Sequence, residues 1–182
     1  MPTDRPTRTL VLGGIRSGKS QWAESAIAES ADADQVRYVA TGAHLDDDAD
    51  WSARIETHRT RRPSHWKTVE TTDLSTQLRS AIATPTLVDD IGGWLAATMD
   101  RRDAWTTGSV DDDVADLVDA VQTYPSLLTL ISPEVGLSVV PPTVAGRRFA
   151  DELGALNQRL GHVCDRVVLV IAGQPLTVKA AS

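Results

Sequence analysis

The sequence predicts an α/β fold in which a mostly parallel sheet is flanked by helices on both faces. Three observations carry this expectation. Short apolar runs alternate with amphipathic segments along the chain, as in successive strand–helix–strand units. The runs Leu127-Leu-Thr-Leu-Ile131 and Val167-Val-Leu-Val-Ile171 are apolar on both faces, which suits strands covered from two sides. At 182 residues the chain fits one domain and is long enough to bury a substantial core.

Five strands are expected at residues 9–13, 36–41, 86–89, 126–132 and 166–171, with a short closing strand at 176–179 after a turn at 173–175. Helices are expected at 19–29, 48–61, 74–82, 93–101, 110–124 and 143–163. The polar stretch 101–113 reads as a surface loop entering a helix capped by Asp111, Asp112 and Asp113. No repeat, low-complexity tract or linker divides the chain, so a single domain spanning 1–182 is expected, with 1–8 a flexible tail.

Bulk properties exclude several classes. A net charge of −7 argues against general nucleic-acid binding, which needs clustered Lys and Arg. The one cysteine, Cys164, permits neither an intramolecular disulfide nor a cysteine-based metal cluster, and it reads as a buried thiol. The first eight residues lack the apolar stretch of a leader, and no segment reaches the roughly 18 apolar residues of a membrane helix. A cytoplasmic location without membrane insertion is the expectation.

The first strand runs into Gly13-Gly14-Ile15-Arg16-Ser17-Gly18-Lys19-Ser20, which fits G-x-x-x-x-G-K-[ST] between a strand and a helix. Glycines let the backbone amides curl round phosphates, and the helix N-terminus adds partial positive charge. Lys19 would meet the β- and γ-phosphates, and Ser20 would offer its hydroxyl to Mg²⁺. The fold class is therefore a P-loop NTPase of RecA-like architecture. An acidic partner for the metal is expected at a strand end, and Asp89 in Leu87-Val-Asp-Asp90 supplies it.

Residues 54–70 carry two His, four Arg and a Lys beside an acidic run at 46–48. An imidazole among guanidinium groups suits nucleophilic attack on a phosphoryl group, although a solvated basic helix face has the same composition.

Read in order, Gly-Gly-Ile-Arg-Ser-Gly-Lys-Ser, Tyr38-Val-Ala-Thr-Gly42, Arg54-Ile-x-x-His58-(x)3-Arg62-Pro63-x-x-Trp66-x-Thr-x-Glu70, Glu134-Val-Gly136, Val140-Pro141 and Asn157-Gln-Arg-Leu160 closely resemble the bifunctional adenosylcobinamide kinase / adenosylcobinamide-phosphate guanylyltransferase family. The resemblance runs from Thr9 to Lys179. It implies phosphorylation of adenosylcobinamide by ATP or GTP, followed by transfer of GMP from GTP through a guanylylated histidine. That histidine corresponds to His58, with His65 the alternative. Nucleotide contacts correspond to Thr41, Gly42 and Ala43, to Arg59, Thr60, Arg61 and Arg62, to Glu70 and to Asp89, with Mg²⁺ between Ser20 and Asp89. A carboxylate at Glu70 would read the guanine edge. The resemblance also implies a homo-oligomer, a trimer with sites near subunit boundaries. Departures are Pro133 in place of Asn, Asp90 in place of a frequent Cys, and Thr57 in place of a second His.

Trp51, Trp66, Trp94 and Trp105 are candidates for stacking on a base or corrin, or for core packing. Arg147, Arg148, Asp151, Asn157 and Arg159 share the long helix at 143–163 and read as a subunit contact, an acceptor face or a solvated face. Two other functions remain open from sequence: a small-molecule P-loop kinase with no covalent intermediate, and a nucleotide-dependent regulatory protein. The absence of an N-K-x-D stretch weighs against a signalling GTPase.

Overall fold

The computed structural model describes residues 7–30, 35–42, 63–80 and 83–181. The helix expected at 48–61, with Trp51, His58 and Arg59 to Arg62, and Ala43 lie outside these residues.

One sheet contains all the described strands: β1 (Arg8–Gly13), β2 (Arg37–Ala40), β3 (Lys67–Glu70), β4 (Thr86–Asp89), β5 (Leu128–Pro133), β6 (Arg166–Ile171) and β7 (Gln174–Lys179). Their order is β3-β2-β4-β5-β1-β6-β7, and every pairing is parallel except that of β6 with β7. The five described helices are α1 (Lys19–Ser30), α2 (Leu74–Ser80), α3 (Ile91–Arg101), α4 (Asp111–Gln122) and α5 (Val144–Val163).

The strands are apolar because both faces are covered. Helix α1 sets Ala23 and Ile27 into a cluster with Val11, Tyr38, Leu87, Ile131 and Val168. On the other face, α2 to α5 bring Leu78, Leu95, Leu117 and Leu156 against Leu10, Val39, Val88 and Leu130. Each fully buried aliphatic side chain contributes about 1.5–3 kcal/mol relative to exposure. Successive residues of β1 serve opposite clusters, Leu10 one and Val11 the other.

Two polar ties join elements distant in sequence. The Arg8 guanidinium donates from Nε to Asp165 Oδ2 at 3.0 Å and from Nη2 to Oδ1 at 2.9 Å, closing the start of β1 onto the start of β6. Arg37, at the start of β2, donates to Thr86 Oγ1 at 3.2 Å and to the Gln77 carbonyl at 2.9 Å. Beside Asp165, Cys164 is 1 % exposed, and burial pushes its thiol up to about 12. A thiol held neutral in this way is not a nucleophile.

Several local expectations need correction. β3 was not expected as a strand, since Lys67-Thr-Val-Glu70 has one half-buried apolar residue and lies at the sheet edge, where an apolar run is not required. The turn before β7 is Ala172–Gly173, with φ of 50° and 76°, a two-residue hairpin turn. Pro175 then falls inside the strand, tolerated because β7 is an edge. Asp111, Asp112 and Asp113 occupy the first turn of α4 rather than its cap, which is Val110 and makes no side-chain capping bond. Their carboxylates act instead on the helix dipole, and Asp113 also binds Arg102 at 2.8 Å and Arg101 at 3.0 Å.

Candidate active site

The C-terminal ends of β1, β2, β3, β4 and β5 open on the same edge of the sheet, because these strands are parallel. Gly13, Thr41, Glu70, Asp89 and Glu134 therefore all lie at or just past that edge. Ligands in open α/β folds sit in that position.

The loop from β1 to α1 is built for close approach. Arg16 has φ 56° and Gly18 φ 89°, so the backbone alternates hand, the conformation of loops whose successive amides can face an anion. The Ser17 amide donates to the Gly14 carbonyl at 3.3 Å, and Lys19 Nζ donates to that same carbonyl at 3.2 Å. Ser17 Oγ accepts from the Lys19 amide at 3.3 Å. A Cβ on Gly13 would meet Ser17 Oγ and would stand 2.9 Å from the Val170 carbonyl of β6. On the far side, the Gly173 amide of the hairpin turn donates to the Ser17 carbonyl at 2.8 Å. The loop is thus clasped between β6 and the β6–β7 turn.

Asp89 ends β4, separated from β1 by β5. It follows Leu87 by two residues, so it shares with Leu87 the face of the sheet covered by α1, whose second residue is Ser20. Tyr38 donates its hydroxyl to Asp89 Oδ2 at 2.7 Å. Thr41 closes the top of β2 onto β4, its amide donating to the Asp89 carbonyl at 3.2 Å and its hydroxyl donating to the Asp90 carbonyl. A hydroxyl and a carboxylate on one face, at a phosphate loop, fit Mg²⁺, which takes oxygen ligands and completes its shell with water and substrate phosphate.

Asp90 is the N-cap of α3, accepting from the Gly93 amide at 2.6 Å. Burial pushes its carboxyl up to about 6, the Asp89 charge adds to the rise, and the Gly93 amide and Lys19 ammonium oppose it. A carboxyl raised in the folded state binds a proton there that the unfolded chain does not bind. This group therefore opposes folding above pH 6 and ceases to do so as pH falls toward 4. Asp90→Asn, which keeps a capping oxygen, is expected to stabilise the nucleotide-free protein at pH 7 on the order of 1–3 kcal/mol. The gain should be much smaller at pH 4.5. Urea unfolding at the two pH values checks this, and equal gains would refute it.

Other expected positions are distributed as follows. Thr41 and Gly42 adjoin the start of α3, where a Cβ on Gly93 would stand 3.3 Å from the Gly42 Cα. Glu70 is at the sheet edge, four strands from β1, roughly 19 Å away at the usual strand spacing. A base reaching Glu70 would have to extend across β5, β4 and β2. His65 precedes β3 and lies at the opposite end of the sheet from the phosphate loop. A cavity of about 640 Å³, lined by Arg37, His65, Lys67 and Gln77, opens at that opposite end and takes no part in the phosphate site.

Trp66 and Trp94 are buried in the two cores, and Trp105 stacks on Phe149 at 6.0 Å. These three serve packing. The polar set on α5 is divided. Asn157 is buried, accepting from Ser132 Oγ at 2.6 Å and donating to the Pro133 carbonyl at 3.0 Å, so it secures the end of β5. Just beyond, the Glu134 amide donates to the Gly13 carbonyl at 3.0 Å. Arg148 turns in to the Thr106 and Gly108 carbonyls, and Arg147 to those of Pro141 and Pro142. The polar residues of α5 therefore do not form one acceptor face. The sequence places Tyr38 in a motif and Gly173 in a turn but implies no contact for either. The register of β2 with β4 brings Tyr38 to Asp89, and the hairpin brings Gly173 to the phosphate loop.

The sequence model described as cobinamide kinase / cobinamide phosphate guanyltransferase matches residues 9–178. The chain belongs to that family. The bifunctional adenosylcobalamin biosynthesis protein CobU of Salmonella typhimurium is 37 % identical over 93 % of this chain and 98 % of its own length. The corresponding CobP of Pseudomonas aeruginosa is 38 % identical over 94 % of this chain and 97 % of its own. Among solved structures, the flagellar accessory protein FlaH of Methanocaldococcus jannaschii matches with a TM-score of 0.52 at 11 % identity, covering 97 % of this chain and 79 % of that one. An ATPase of a bacterial type III secretion system matches with a TM-score of 0.56 at 12 % identity, covering 95 % of this chain and 57 % of that one. These last two likenesses concern the P-loop NTPase fold alone. The family is enzymatic, and its members use nucleotide substrates, so a regulatory reading without turnover is set aside.

Proposed function

We propose that this enzyme carries out both transfers on one acceptor, with a guanylylated His58 as the intermediate of the second. The supporting observation is that the family match runs from 9 to 178, bounds that take in the phosphate loop and the His58 segment together. In the first step the aminopropanol hydroxyl of adenosylcobinamide attacks the γ-phosphorus of ATP or GTP. The γ-phosphoryl group passes to oxygen and the nucleoside diphosphate leaves. In the second, the His58 imidazole attacks the α-phosphorus of GTP, forming an N–P bond and releasing pyrophosphate. An oxygen of cobinamide phosphate then attacks the same phosphorus and His58 leaves.

The chain's own groups divide the work. Amides of Gly13 to Gly18 grip the phosphates, and Lys19 stabilises the charge that builds on the β- and γ-oxygens. Arg59, Arg61 and Arg62 would stabilise charge beside His58, with Thr60 beside them, while Thr41, Gly42 and Ala43 complete the nucleotide contacts. Ser20 and Asp89 would hold Mg²⁺, which neutralises phosphate charge when bound. Glu70 is the residue proposed to favour guanine, because an adenine would leave its carboxylate without the paired N–H donors of guanine.

A homo-oligomer, a trimer on the family resemblance, accords with the exposed apolar residues Leu137, Val139, Val140, Leu176 and Val178 and with the outer edge of β7, which no strand pairs among the described residues. No described helix is long and apolar enough to cross a membrane. A cytoplasmic site of action accords with the need for nucleoside triphosphates.

Incubation with GTP labelled at the α-phosphate should leave acid-labile label on the protein, and His58→Ala should reduce it to background while cobinamide phosphorylation persists. Label retained in His58→Ala would remove His58 from the mechanism. Absence of label from the parent enzyme, with kinase activity intact, would favour a simple kinase.

A further inference from the structure

Tyr38 is 4 % exposed in the cluster beneath α1, where its neighbours Val11, Val36 and Leu87 are apolar. A phenylalanine would fill that volume equally well. Burying a hydroxyl costs free energy unless it is hydrogen-bonded, and this one is bonded to Asp89 Oδ2 at 2.7 Å. Register explains the encounter. Tyr38 pairs with Leu87 and Ala40 with Asp89, so Tyr38 and Asp89 lie diagonally on one face of adjacent strands, within reach of a phenol. The frame around them is fixed, because the Thr41 amide and hydroxyl hold the carbonyls of Asp89 and Asp90. Asp90 is oriented separately, by the Gly93 amide that it caps. Of the two acids, Asp89 is the one whose carboxylate accepts from a side chain of the neighbouring strand.

We propose that Tyr38 is a positioning residue for the nucleotide-bound cation: its hydroxyl fixes the rotation of the Asp89 carboxylate so that the carboxylate presents to Mg²⁺ without reorganisation. The proposal rests on the reading of Asp89 as a metal-facing residue. Hydrogen bonds that orient a ligating group typically change metal affinity about 10–100-fold when removed. An O–H bond to a carboxylate is also of the stronger, charge-assisted kind.

The test is a titration of Mn²⁺, read by electron paramagnetic resonance, into full-length enzyme saturated with a non-hydrolysable GTP analogue. Tyr38→Phe should raise the Mn²⁺ dissociation constant about 10-fold. Binding of the analogue without metal, and the melting temperature, should stay close to those of the parent. In an Asp89→Ala background, which removes both carboxylate oxygens, Tyr38→Phe should add nothing, since its partner is gone. If Asp89→Asn weakens Mn²⁺ binding and Tyr38→Phe does not, the proposal falls and the reading of Asp89 stands. If Asp89→Asn leaves Mn²⁺ binding unchanged, the reading of Asp89 falls and takes the proposal with it. Equal weakening of metal-free analogue binding, or a further loss in the Asp89→Ala background, would show that Tyr38 acts through packing and would overturn the proposal.

Discussion

Lys19→Ala is expected to lower kcat/KM for cobinamide phosphorylation by about 10²–10³-fold, the usual loss when one preorganised charge or donor at a developing anion is removed. The reasoning starts from where the side chain is held. Lys19 is the first residue of α1, and its Nζ rests on the Gly14 carbonyl at 3.2 Å, inside the curl of the loop. That tether aims the ammonium at the space a phosphate chain would fill. Moving it onto phosphate oxygens breaks one neutral hydrogen bond and forms charge-assisted ones. Lys19→Arg should rescue poorly, because a planar fork does not replace a compact ammonium. Measuring guanylylation of His58 in the same variant adds a second result. If one triphosphate site serves both reactions, α-label incorporation should fall along with kinase activity. Undiminished labelling in Lys19→Ala would mean that guanylyl transfer uses a separate nucleotide site.

The legibility of this site in sequence follows the range of its interactions. The phosphate loop is read directly because it is local: eight consecutive residues carry the glycines, the lysine and the hydroxyl. Asp89 is read from the end of an apolar run, Thr86-Leu-Val-Asp89, whose bounds coincide with β4. β3 escapes because an edge strand needs no continuous apolar face, and Lys67, Thr68 and Glu70 are all exposed. The Asp90 cap is in principle visible, since Asp followed by Gly-Gly and an apolar run is a helix-start pattern. With the helix expected to begin at 93, Asp90 falls too early to be taken as its cap. The Tyr38–Asp89 bond and the contact of Gly173 with the phosphate loop are beyond the reach of any motif. The first depends on the register of β2 with β4, the second on an antiparallel hairpin folding back more than 150 residues after the loop that it touches.

That contact carries the other large effect. Gly18→Ala should weaken nucleotide binding severely while the protein remains folded. Gly18 has φ 89°, a left-handed backbone that costs an alanine about 1–3 kcal/mol. Its Cβ would also stand 3.1 Å from the Gly173 Cα, and backbone cannot move aside as a side-chain tip can. The least costly relief is for the loop to swing away from the hairpin turn, breaking the 2.8 Å bond from the Gly173 amide to the Ser17 carbonyl. Both sheet cores are untouched by that movement, so the loss of stability should stop at about 1–3 kcal/mol. Phosphate binding, by contrast, depends on several amides converging on one concavity, and a displaced loop loses them together. Triphosphate affinity should therefore fall at least about 100-fold, close to 3 kcal/mol, in calorimetric titration. A melting temperature only a few degrees below the parent would separate loop displacement from unfolding. Affinity within twofold of the parent would mean that the loop is not clasped by the hairpin in solution.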